Sequence, residues 1–191
     1  MIVLASSSPR RQRLLDMLGI PHLVDPAQVE ECRQPGESPK AMAVRLATEK
    51  ARCVALRHSD NPVLAADTVV VVDDRVLGKP AGPAEAEEML GHLAGRDHRV
   101  ITAVALALPG AEVLHRCDVT RVWFRSLSPA LIRAYVATGE PLDKAGSYGV
   151  QGYGAVLVER VEGDFFGVMG LPLRLVVELL EAAGQPYRFT R

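Results

Sequence analysis

Apolar residues follow two rhythms along this chain. Ile2–Ala5 is an unbroken apolar run of strand length. Behind it, Leu14, Leu15 and Leu18 recur at helical spacing, preceded by Ser8 in an N-cap position and Pro9 at the first helical position. The same Ser-Pro start opens a second helix at Ser38-Pro39, with apolar positions at Met42, Leu46 and Val54, and another at Ser128-Pro129. Pro83 opens a helix over Ala84–Leu93. Leu171–Ala183 reads as the last helix, with Gly184 suited to the position after its C-cap.

Strand signals lie between these helices. Pro62–Val72 is a buried run followed by an Asp73-Asp74-Arg75 turn, from which Arg75–Leu77 returns as a short arm. Val100–Leu108 and Val113–Phe124, separated by Pro-Gly-Ala-Glu, are expected to pair as an antiparallel hairpin. Val24–Gly36 is irregular and polar. Gly139–Gly170 is glycine-rich, with Ala155–Val161 its clearest strand. The order predicts an α/β fold with a mixed, twisted sheet flanked by helices, in a single two-lobed domain over residues 1–191.

Composition narrows the class. With 191 residues, 48% hydrophobic and 24% charged, the chain can bury a sizeable core. A formal net charge of −1 argues against a broad nucleic-acid-binding face, so any basic site must be local. Cys32, Cys53 and Cys117 are scattered and odd in number, which suits a reducing compartment. No apolar run is long enough to span a membrane, and the expected location is the cytoplasm.

Several residues break the pattern. Arg10, Arg11 and Arg13 crowd the first turns of the first helix, where the helix dipole already presents positive charge. With Ser6, Ser7 and Ser8 they make a corner suited to phosphate oxygens, although a plain Ser-Pro cap with solvated arginines reads equally well. Asp67 interrupts a run that asks to be buried, so it needs a cation, a metal or a raised pKa. The alternative is a turn or a structural ion pair. Lys50, taken by itself, reads as the solvent face of its helix, and Lys79 as a solvated turn residue. Glu30 and Glu31 form an adjacent carboxylate pair, more often surface than ligand. The glycines around Gln151 fit either a close backbone approach or a flexible hairpin. The histidines show no metal-ligand spacing, and no Walker motif is present.

Together, "LASSSPRRQRLLDMLG", "LATEKA", "AADTVVVVDDRVLGKP", "GRDHRVITAVAL", "VWFRSLS", "GEPLDKAGSYGVQG" and "VMGLPL" occur in an order that resembles the Maf family. Its members are nucleoside triphosphate pyrophosphatases, also described as septum-formation inhibitors. "DKAGSYGVQG" resembles the dTTP/UTP branch; the branch acting on 7-methyl-GTP lacks this glutamine. The resemblance implies an inosine-triphosphatase-like fold with two lobes around a central cleft. It also implies hydrolysis of a nucleoside triphosphate to monophosphate and pyrophosphate with a divalent cation, Mg²⁺ or Mn²⁺, in a homodimer. By the same resemblance Asp67 is the proton acceptor, and Lys50 and Lys79 are catalytic lysines. Arg10, Thr68 and Gln151 select the base, while Ser6, Ser8 and Arg11 belong to the phosphate-binding turn. Glu30 joins Asp67 at the metal. A nucleotide-responsive regulatory protein of cell division is the alternative.

Overall fold

A computed structural model describes residues 1–189. Strands β1 (Ile2–Leu4), β2 (His22–Val24), β3 (Val63–Val72), β4 (Arg75–Leu77), β5 (Asp97–Ala107), β6 (Leu114–Phe124) and β7 (Val158–Glu162) form one seven-stranded sheet. Its order is β2-β1-β3-β5-β6-β7, with β4 paired to β3. The sheet is mixed. β1 runs parallel to β2 and β3, placing Val3 opposite both Leu23 and Val63, whereas β4 and β7 run antiparallel to β3 and β6. Helices are α1 (Pro9–Met17), α2 (Pro39–Ala55), α3 (Pro83–Leu93), α4 (Pro129–Val136), α5 (Phe165–Met169) and α6 (Leu173–Ala182).

The described chain divides into two compact units. One comprises Met1–Asp67, Thr102–Asp118 and the chain from Gly170 onward; the other comprises Thr68–Ile101 and Val119–Met169. In the first, Val3, Leu4, Leu15, Ala43, Leu46, Val54, Val63, Leu64 and Leu179 are buried. Each fully buried Leu or Val of this kind contributes about 1.5–3 kcal/mol. The second unit has its own core, built from Val70, Leu77, Leu90, Val100, Phe124, Ile132, Tyr148 and Leu157, among others.

Turn chemistry explains how β3 reverses. Asp73 and Asp74 have φ of 48° and 59°, the pair of positive values that a tight hairpin matched to strand twist requires. Aspartate tolerates that region better than most residues. Arg96 and Arg99 engage the two carboxylates at 2.5 and 2.9 Å.

Four elements depart from expectation. β2 carries no signal in the sequence, because His22–Val24 is too short to show alternation, and only the parallel register with β1 makes it a strand. Ala155–Val161 divides: Tyr153–Leu157 winds as a 3-10 turn, and the strand begins at Val158. α6 starts at Leu173, because Pro172 occupies its N-cap. Phe165–Met169 is a short helix rather than loop, its first turn held by Asp164 Oδ1 accepting from the Gly167 N–H at 2.9 Å.

Candidate functional site

The corner between β1 and α1 is built around Ser6 rather than Ser8. Ser8 occupies the N-cap position, but its side chain makes no capping bond. Instead its N–H donates to Ser6 Oγ at 3.2 Å, and Ser6 is buried. The same oxygen accepts from Arg11 Nη1 at 3.1 Å, while Arg11 Nε donates to the Gly170 carbonyl at 2.8 Å. Arg11 is thus fixed at two points. Burial pulls its pKa below the ordinary value, Asp67 and Glu31 oppose that shift, and Arg10 adds to it. An arginine stays charged under such a shift. The misplaced charge at this helix start therefore faces carboxylates of the same unit.

Lys50 is the second anchor, and it does not lie on the solvent face of α2. It is 7% exposed. Its position follows from helical geometry, since Leu46 and Val54 lie four residues to either side on the buried stripe. That register was visible in the sequence and outweighs the usual preference of lysine for water. Lys50 Nζ lies 2.6 Å from Asp67 Oδ1 and 2.6 Å from Glu31 Oε1.

Asp67 is 5% exposed on β3. Burial raises its pKa above the ordinary carboxyl value, and Glu31 adds to the shift, while Lys50 and Arg11 oppose it. A carboxylate so placed is a stronger proton acceptor than a solvated aspartate. Glu31, not Glu30, is the glutamate that meets Lys50. Glu30 is exposed and accepts from Cys32 Sγ at 3.4 Å. Adjacent side chains leave the backbone in different directions, so residue type alone did not decide between them.

Thr68 follows Asp67 on β3 and is half-buried, and Arg10 is half-buried on α1. Lys79 is exposed in the turn after β4, and Gln151 is exposed within the glycine-rich segment. The glycines there record close packing, not flexibility. A Cβ at Gly152 would lie 2.2 Å from Glu140 Oε2, and one at Gly154 2.7 Å from Tyr135 Oη. Glu140, Tyr135 and Lys144 do not stand out in the sequence. Their only signal was glycine at 149, 152 and 154, which demands a close neighbour without naming it.

For a divalent cation, Asp67 and Glu31 supply the donor chemistry. Their oxygens converge on one ammonium, and such ions bind through one or two carboxylates plus substrate phosphates. Among the described residues, no three His, Cys, Asp or Glu side chains cluster as a protein-only metal site. No helix among them is long and apolar enough to cross a membrane.

Residues 1–183 match the family described as Maf-like protein. A dTTP/UTP pyrophosphatase of Syntrophomonas wolfei is 50% identical over 182 residues, which cover 95% of this chain and 96% of its own. A dTTP/UTP pyrophosphatase of Symbiobacterium thermophilum is 51% identical over 185 residues, covering 97% and 95%. The Staphylococcus aureus Ham1 protein aligns over 96% of this chain and 97% of its own at 16% identity with a TM-score of 0.51, a likeness of fold.

Proposed function

The chain belongs to the Maf-like protein family, and from that premise we propose that it hydrolyses dTTP and UTP to the monophosphate and pyrophosphate. The observation that carries the reading is the buried Asp67 carboxylate, held by Lys50 and carrying a raised pKa. A structural ion pair has no need of the second carboxylate at the same ammonium, Glu31.

Asp67 accepts a proton from the water that attacks the α-phosphorus, and the bond from that phosphorus to the bridging oxygen breaks, releasing pyrophosphate. Arg10, Arg11 and the Ser6–Ser8 turn bind phosphate oxygens at the start of α1. The Ser6 and Gly170 contacts hold Arg11 in place before substrate arrives. Lys50 orients Asp67, and Lys79 contributes positive charge to the leaving group. Asp67 and Glu31 would hold a divalent cation, Mg²⁺ or Mn²⁺, which when bound neutralises phosphate charge. Catalysis is then positioning and electrostatic stabilisation more than covalent chemistry.

Arg10, beside its phosphate contact, takes the base-selecting role with Thr68 and Gln151. The Gln151 carboxamide accepts from pyrimidine N3–H and donates to O4. Uracil and thymine share that pattern, whereas cytosine reverses it.

The test is pyrophosphate release from a panel of nucleoside triphosphates, with Mg²⁺ or Mn²⁺, for the wild type and Asp67→Asn. Release from dTTP and UTP, reduced about 10²–10³-fold in the variant, is the expected result. Binding without release from any nucleotide would overturn it and favour a regulatory binding protein.

A further inference from the structure

The segment carrying Gln151 is tied down on both flanks by one carboxylate and one phenol. Glu140 opens the 3-10 turn Glu140–Asp143 that follows α4. Its Oε1 accepts from Tyr135 Oη at 2.8 Å and from the Gly154 N–H at 3.0 Å, and its Oε2 accepts from the Tyr153 N–H at 2.8 Å. Tyr135 Oη in turn accepts from the Gly149 N–H at 3.1 Å. Backbone donors two residues before Gln151, and two and three residues after it, therefore converge on one hydrogen-bonded pair. Lys144 closes the arrangement from the other side, donating to the Glu140 carbonyl and to Asp143 Oδ1, each at 2.6 Å.

The glycines fit this brace. A Cβ at Gly149 would stand 2.9 Å from Lys144 Cε, in addition to the clashes at Gly152 and Gly154. A side chain at Gly152 would run into Glu140 itself, and one at Gly154 into Tyr135 Oη and the Gly149 carbonyl. Tyr135 is 4% exposed and anchored in the second unit's core, so the phenol is a fixed reference point. Burial by itself would raise the Glu140 pKa. The N–H groups of Gly154 and Tyr153, the Tyr135 hydroxyl and Lys144 more than offset it, and the group is held below its ordinary value. The brace is therefore charged at neutral pH, and charge-assisted bonds to backbone N–H groups are the stronger kind.

We propose that Glu140, acting with Tyr135, is a positioning residue for base selection: it fixes the backbone on both sides of Gln151, and so the place from which the exposed carboxamide reaches the base. This rests on the base-reading role given to Gln151 above. The carboxamide can pair with N3–H and O4 of uracil or thymine only while its backbone holds it opposite that edge, so a displaced loop loses the contacts that separate these bases from cytosine. Selectivity then depends on the loop as much as on the glutamine.

Glu140→Gln keeps the shape but turns one accepting oxygen into a donor facing N–H or O–H donors. Tyr135→Phe removes only the hydroxyl and serves as a second variant should the first fold poorly. We would measure kcat and KM for dTTP and dCTP in the wild type, both variants, Gln151→Ala, and Glu140→Gln combined with Gln151→Ala. The expected result is a fall of about 10-fold in the dTTP:dCTP ratio of kcat/KM for Glu140→Gln, the scale of one lost hydrogen bond, carried mainly by KM for dTTP. Tyr135→Phe shifts the ratio the same way, and the double variant falls no further than Gln151→Ala alone. A ratio unchanged in both brace variants while Gln151→Ala lowers it would overturn the proposal. So would independent, multiplying effects in the double variant. If Gln151→Ala leaves the ratio unchanged, the base-reading role itself fails and the proposal falls with it.

Discussion

Ser8, Ser38 and Ser128 stand at the same place in three Ser-Pro helix starts, but their side chains do different things. Ser38 accepts from the Ala41 N–H and Ser128 from the Leu131 N–H, each at 3.2 Å, whereas Ser8 makes no such bond. Ser38→Ala and Ser128→Ala should each lower stability by about 1 kcal/mol, and Ser8→Ala by a few tenths, as read from urea unfolding. Lys50 gives a sharper case. Lys50→Met leaves Asp67 buried without its cation, which should cost about 3–5 kcal/mol at pH 8. In that variant the folded Asp67 pKa lies further above its unfolded value, so the folded state binds the proton first. Stability is then regained as pH falls, and urea unfolding at pH 5 and pH 8 reads the difference. A variant equally stable at both would mean that Asp67 is not the group left unpaired.

At the scale of elements, β5 carries a buried histidine that should cost the second unit stability in acid. His98 is 2% exposed, and its ring meets Phe124 and Tyr148 edge-on with centroids 5.1 and 5.3 Å away. Its Nε2 lies 2.8 Å from Tyr148 Oη, while Nδ1 has no partner among the described residues. Burial lowers the pKa to about 4, well below the ordinary 6.5. The unfolded chain therefore takes up the proton first, and stability is lost as pH falls from about 6.5 toward 4, by at most about 1.4 kcal/mol per pH unit. His98→Gln should flatten that part of the stability profile in urea unfolding. The same slope in both proteins would assign the acid sensitivity elsewhere. The helices that the sequence predicted are those with an apolar stripe and a clear end signal, a proline start in four of them and Gly184 after the last. The elements it did not show, β2 and α5, are three and five residues long and owe their existence to a parallel neighbour and to Asp164.

At the scale of the molecule, Ser6, Arg11, Glu31, Lys50 and Asp67 belong to one compact unit, and Lys79, Glu140 and Gln151 to the other. If Asp67 is the proton acceptor, the acid limb of the kcat/KM profile for dTTP should lie above the value near 3.9 of a solvated aspartate, because burial raises its pKa. A limb at or below that value would assign the proton to another group. By itself the sequence determined the α/β class, the longer elements and the family, because apolar periodicity, proline starts and contiguous motifs are local properties of the chain. It also marked Asp67, since one charge inside an apolar run is a local contradiction. Tertiary structure alone decided which of two adjacent glutamates meets Lys50, that Ser6 rather than Ser8 organises the arginine corner, and what the glycines around Gln151 are packed against. Each of these is a contact between side chains or backbone groups whose partner depends on direction in space, and spacing along the chain does not encode direction once the chain leaves a regular helix or strand.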